Sequence, residues 1–145
     1  MIKAIIFDWV GTLTENFEIP YSYSEEVLEK IKGKYKLGLV TLASQGVEKR
    51  WRDIRNSGLE KYFDCIVVQE EKSDKQYLEC MEKLGVKPTE TAVVDDMRVR
   101  CEIATGLGCR AYWVDKGVVG IPMQKSIDED IIRIDSVYKL LGLFK

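Results

Sequence analysis

Apolar residues recur along the chain in two rhythms. Short unbroken runs stand at Ala4-Ile5-Ile6-Phe7, Leu37-Gly38-Leu39-Val40-Thr41, Cys65-Ile66-Val67-Val68, Thr91-Ala92-Val93-Val94, Arg110-Ala111-Tyr112-Trp113-Val114 and Ile131-Ile132-Arg133-Ile134. Runs of that length, with apolar residues at successive positions, predict strands buried on both faces of a sheet. Between them the apolar positions fall at helical spacing: Val27, Leu28 and Ile31; Trp51 and Ile54; Tyr77, Leu78, Met81 and Leu84. Each such stretch predicts a helix with one face turned to the core.

The stop and start signals agree. Ser22-Tyr23-Ser24-Glu25-Glu26 reads as a helix start, closed at Gly33. Ser44-Gln45-Gly46 opens a basic helix bearing Lys49, Arg50, Arg52 and Arg55, which ends at Asn56-Ser57-Gly58. Gly85 stops the next helix, and a fourth runs from about Arg98 to Thr105 before Gly106 and Gly108. Residues 117–125 read as loop, and Asp135 to Leu141 as a closing helix. Strand and helix alternate throughout, so the fold class is α/β, a parallel sheet with helices on both faces. The whole of 1–145 reads as one domain with one core, a size at which a single core suffices.

Composition narrows the function classes. The 22 basic and 24 acidic side chains leave a net charge of −2, which gives no general pull toward nucleic acid or an anionic membrane. No apolar run is long enough to span a bilayer, and the first residues read as a strand rather than a signal peptide, so a cytoplasmic protein is expected. Cys65, Cys80, Cys101 and Cys109 form no Cys-x-x-Cys pair, and there is no histidine. Structural zinc, a disulfide framework and every Ser-His or Cys-His mechanism drop out, and the thiols are expected to be buried and reduced.

The chemistry that remains sits at the strand ends. Asp8 follows the first strand, Thr41 ends the second, Lys72 or Lys75 follows the third, and Asp95 and Asp96 end the fourth. In a parallel sheet these all reach the carboxyl edge, where ligands bind in open α/β folds. Three carboxylates together repel unless a cation lies among them. An all-oxygen set suits a hard ion such as Mg2+. A hydroxyl and a lysine facing that ion suit a phosphoryl group.

Phe7-Asp8-Trp9-Val10-Gly11-Thr12-Leu13-Thr14 resembles the first motif of the haloacid dehalogenase-like (HAD) hydrolase superfamily. Leu39-Val40-Thr41 resembles the second, Lys72 the third, and Val93-Val94-Asp95-Asp96 the fourth, in the same order and across the chain. The resemblance implies a three-layer Rossmann-like fold and a set of roles. Asp8 would be the nucleophile, passing through an aspartyl-phosphate. Asp8, the backbone carbonyl of Val10 and Asp96 would hold Mg2+, with Asp95 assisting directly or through water. Thr41 and the backbone N–H of Leu42 would bind the phosphoryl group, and Lys72 would neutralise it.

One position departs from the pattern. Phosphatases of the superfamily carry a second acid two residues after the nucleophile, and here that residue is Val10. General acid–base help is typically worth about a hundred- to ten-thousand-fold, so its loss favours substrates with good leaving groups. Glu15 is a candidate substitute. Haloacid dehalogenases and phosphonoacetaldehyde hydrolases also lack that acid, but both insert a cap domain after the first motif. Only 26 residues separate Thr14 from Thr41, room for one helix and no cap. The sequence therefore predicts a capless HAD-like phosphatase weakened at Val10, acting on a phosphate-bearing small molecule or macromolecule, with a second copy of the chain as one candidate cover for the open site. A metal- and phosphate-binding scaffold without turnover is the second reading, and a phosphonatase- or dehalogenase-like hydrolase the third. Trp9, Trp51 and the basic helix are candidates for the mouth of the site, with a solvated basic face or, for Trp9, the core as the plainer readings.

Overall fold

A computed structural model describes residues 1–116, 124–125 and 131–145. Its strands are β1 (Ala4–Phe7), β2 (Thr14–Asn16), β3 (Ile19–Pro20), β4 (Lys36–Leu42), β5 (Cys65–Gln69), β6 (Thr91–Asp95), β7 (Arg110–Val114), β8 (Gln124–Lys125) and β9 (Ile131–Ile134). Its α-helices are α1 (Ser24–Ile31), α2 (Val47–Ser57), α3 (Asp74–Leu84), α4 (Arg98–Leu107) and α5 (Leu140–Leu143). The main sheet runs in the order β5-β4-β1-β6-β7-β9-β8. The first six are parallel, and β8 adds an antiparallel edge to β9. Helices flank both faces, in the three-layer Rossmann-like arrangement that the alternation predicts.

Alternation along β1 divides the core. Ile5 and Phe7 join Val27, Leu28 and Ile31 of α1, Ile54 of α2 and Leu140 of α5 on one face. Ala4 and Ile6 join Tyr77, Cys80, Met81 and Leu84 of α3 and Cys101 and Ala104 of α4 on the other. All four cysteines are free and buried. Among the described residues no helix is long and apolar enough to cross a membrane.

Several local expectations change. A short antiparallel hairpin, β2–β3, stands between β1 and α1 where the sequence reads as loop. Ser24 does not cap α1; its hydroxyl donates to the carbonyl of Leu13 at 2.6 Å and ties the hairpin to the helix. Leu78 is exposed on α3, because three of the four apolar positions already fill the contact with the sheet. Trp51 is half-buried at the rim of the core, with the Arg55 guanidinium 5.5 Å from its ring centre. Trp9 is fully buried core, not part of a mouth, and its indole N–H donates to the carbonyl of Phe17 at 2.5 Å. The closing helix of 135–141 is instead a 3-10 turn over Val137–Lys139 followed by α5. The expected loop of 117–125 lies outside the described residues except for β8.

Candidate active site

The register of the sheet explains why distant residues meet. Phe7 is level with Leu39 on β4 and Val94 on β6, so Asp8 and Asp95, each one residue further on, emerge side by side. The amide of Asp8 still donates to the carbonyl of Val94 at 2.9 Å, which carries the ladder one step past the strand. Thr41 and Leu42 end β4 on the other side. Lys72 arrives from the loop between β5 and α3, where Ser73 caps the helix with Gln76 in a reciprocal box. Asp8, Val10, Thr41, Leu42, Lys72, Asp95 and Asp96 all line one cavity of about 280 Å³.

Lys72 is the hinge of the charge arrangement. Its ammonium donates to Asp8 Oδ1 at 2.8 Å and to Asp95 Oδ2 at 2.7 Å. It is 6% exposed, whereas Lys75 lies exposed on α3, so the cavity lysine is Lys72. Burial alone would lower the Lys72 pKa, but the charges of Asp8 and Asp95 outweigh it and hold the ammonium above its ordinary range. Burial likewise works against ionised Asp8, yet the Lys72 charge and hydrogen bond keep that carboxyl below the usual range. Thr12 adds a hydroxyl donor to Asp8 Oδ2 at 3.2 Å. Asp95 is the anchor of the set. It accepts from the Met97 amide at 3.0 Å and the Tyr77 hydroxyl at 3.3 Å as well as from Lys72.

Asp96 is placed differently. Burial and the neighbouring charge of Asp8 push its carboxyl up to about 8. Carboxylate oxygens of Asp8, Asp95 and Asp96 lie within 4.8 Å of one another. Such a set, all oxygen and short of positive charge at one end, fits a hard divalent cation better than it fits any softer metal. A cation among them would hold Asp96 ionised. Gly11 makes room for this. Its φ of +86° is in the left-handed region, and a Cβ there would overlap the Asp96 carboxylate. Gly11→Ala is therefore expected to displace Asp96 and weaken divalent-cation binding by about tenfold or more, read by calorimetric titration. Unchanged affinity in the folded variant would contradict the close approach.

The sequence reading missed several cavity residues. Arg50 is not part of a solvated basic face. It is buried, and its guanidinium donates to the hydroxyl of Thr41. Arg100, on α4, donates to the backbone carbonyl of Lys72 and so pins the lysine loop. Phe17, from the hairpin turn, Ser44 and Met97 complete the lining. The signal for Arg50 was present: it lies four residues before Ile54, on the same helix face as the core contact. Glu15 is exposed and does not line the cavity, so it does not replace the acid absent at Val10. Cys101 is core, its thiol donating to the carbonyls of Asp95 and Tyr112.

A family model described as haloacid dehalogenase-like hydrolase matches residues 1–114. The chain belongs to this family. The HAD fold is also that of its structural neighbours. A HAD-superfamily hydrolase of subfamily IA from Geobacter sulfurreducens superposes with a TM-score of 0.75 at 16% identity, covering 99% of this chain and 100% of that one. A HAD-superfamily hydrolase from Ehrlichia chaffeensis gives 0.76 at 14% identity, with 99% and 97% covered. An L-2-haloacid dehalogenase from Xanthobacter autotrophicus, with chloropropionic acid covalently bound, gives 0.76 at 14% identity, with 99% and 98% covered. No curated protein sequence matches the chain significantly. The site combines an Asp8 clamped by Lys72 with an apolar residue at Val10, and three carboxylates with three buried or half-buried cations.

Proposed function

We propose that this protein is a Mg2+-dependent phosphatase that acts through an aspartyl-phosphate at Asp8 and prefers good leaving groups. The observation that supports it most is the pairing of opposite charges around one cavity: Asp8, Asp95 and Asp96 against Lys72, Arg50 and Arg100. A single carboxylate suffices to displace halide from carbon, so the two further acids are better explained by a metal-assisted phosphoryl transfer.

Mg2+, held by Asp8, Asp96 and the Val10 carbonyl with Asp95 beside them, would offset the charge of the transferring phosphoryl group. In the first step an Asp8 carboxylate oxygen attacks phosphorus and the bond to the leaving oxygen breaks. Lys72 and the Thr41 hydroxyl, with the Leu42 amide, bind the phosphoryl oxygens. The ion pair with Lys72 keeps Asp8 ionised for that attack. In the second step water attacks phosphorus, the bond from phosphorus to the Asp8 oxygen breaks, and inorganic phosphate leaves with the water proton lost to phosphate or solvent, restoring the carboxylate. With Val10 in place of an acid, no cavity residue among those described is left to protonate the leaving oxygen or activate that water. Leaving groups that depart as stable anions, such as carboxylates and phenolates, are therefore favoured. A HAD fold with only the β2–β3 hairpin between β1 and α1 leaves the cavity reachable by a large substrate, and a second copy of the chain is a candidate cover.

The test is phosphate release from acetyl phosphate, an aryl phosphate and an alkyl phosphate, with Mg2+ and with chelator. Release from the first two that needs Mg2+ supports the reading. Halide release from a 2-haloacid without metal, and no phosphate from any ester, would replace it with a dehalogenase. No release of either, in a protein that still binds Mg2+, would favour a binding module, the reading to which Val10 points. Mg2+ binding has its own measure. At a hundred times its Kd a ligand of the native state stabilises by about 2.7 kcal/mol, so the melting temperature is expected to rise with Mg2+ and to stay flat in Asp96→Asn. An equal rise in both proteins would remove Asp96 from the metal set.

A further inference from the structure

Arg50 is the charged group of the cavity that the roles above leave unexplained. It is 5% exposed. One guanidinium nitrogen donates to Thr41 Oγ1, and its Nε is buried without a hydrogen-bond partner. The neighbouring acid on its own helix, Asp53, forms an ion pair with Arg50 through a carboxylate oxygen 3.7 Å from Nε, too long for a hydrogen bond, and shares that carboxylate with Lys49 at 3.2 Å and 3.3 Å. A buried guanidinium with donors to spare is costly unless an anion completes it. Burial pulls the Arg50 pKa below its ordinary range, and the charges of Asp53 and Asp8 oppose that pull.

The cavity charge says what that anion is. Three carboxylates face three side-chain cations. A bound divalent cation then leaves two positive charges over, which matches a phosphoryl dianion and exceeds what a monocarboxylate offers. The bond to Thr41 adds direction. With Arg50 donating to the hydroxyl oxygen, the hydroxyl proton is left free to donate toward the cavity.

We propose that Arg50 is a second cationic arm of the anion site, holding the Thr41 hydroxyl as a donor and binding a dianionic phosphoryl group with the guanidinium N–H groups that Thr41 does not use. This rests on the phosphatase reading above and adds a residue and a substrate charge to it. Arg50 reaches this place because α2 docks through Ile54, one turn further along the same face.

The experiment is calorimetric titration of inorganic phosphate into the Mg2+-loaded wild type, Arg50→Lys and Arg50→Met, with Mg2+ titrated separately into each. Phosphate affinity is expected to fall about tenfold in Arg50→Lys, which keeps charge but loses the planar fork, and about a hundredfold in Arg50→Met, with Mg2+ affinity within about twofold of wild type. If Arg50→Met does not fold, Arg50→Lys carries the decision. Wild-type phosphate affinity in a folded variant overturns the proposal while leaving the phosphatase reading standing. A parallel loss of Mg2+ and phosphate affinity also overturns it, because it marks a structural role. A wild type that binds Mg2+ but no phosphate overturns both.

Discussion

Asp8→Asn is expected to abolish turnover and spare the fold. Removing a covalent nucleophile costs on the order of four decades or more in rate, because the remaining groups position substrate without offering a bond to phosphorus. The structure says why the fold should survive. Lys72 keeps its 2.7 Å contact to Asp95, and Asp95 keeps its bonds from Met97 and Tyr77, so the ammonium is not stranded. Removing the Asp8 charge also relieves Asp96, whose carboxyl is pushed up by burial and by Asp8. The measurement is phosphate release from acetyl phosphate beside a thermal melt. Residual release above about one part in a thousand of wild type, from a protein free of contaminating phosphatase, would place the nucleophile elsewhere.

Val10→Asp is expected to act in the opposite direction. Val10 lines the cavity two residues beyond Asp8, half-buried near three carboxylates. A fourth acid there would be held partly protonated by its neighbours, the state a general acid needs. Release from an alkyl phosphate should rise by about a hundredfold or more, and release from acetyl phosphate by far less, since its leaving group needs no proton. The same residue would activate water in the second step. Wild type should therefore show a burst of leaving group before a slow steady rate, and the variant should not. An unchanged ratio between alkyl and acyl substrates would mean that Val10 does not set the specificity.

These two expectations draw on residues whose place could be read before any coordinates. A buried parallel strand is a continuous apolar run, so where the run stops at an acid, as at Phe7-Asp8 and Val94-Asp95, both the strand end and the reactive group are marked. The bounds of β7 and β9 agree with the runs for the same reason. Elements that lack a run are invisible to this logic. The β2–β3 hairpin has strands of three and two residues, one containing Pro20, and exists because Trp9, Ser24 and Leu13 bind it. Lys72 and Lys75 could not be separated by spacing, since the choice is made by the Ser73–Gln76 cap that starts α3 after Lys72 and leaves Lys75 on its outer face. Arg50 was hidden by its chemistry. Among four basic residues on one helix, composition predicts solvent, and only the spacing of four from Ile54 marks the one that the docked α2 turns inward. Cys101 shows the converse. A position one turn beyond the cavity acids is filled by a thiol that packs under Asp95 and adds no charge.

The position of β1 in the sheet has a consequence for how the protein opens. Strands β4 and β6 bond it on either side, and helices cover both of its faces. Its amide protons can meet deuterium only when the entire sheet comes apart, so Ile5, Ile6 and Phe7 should be among the slowest to exchange, at rates set by global unfolding. The acid that follows them is thus mounted on the part of the molecule least able to breathe. Residues at that edge can be exchanged, Val10 among them, without the platform beneath loosening.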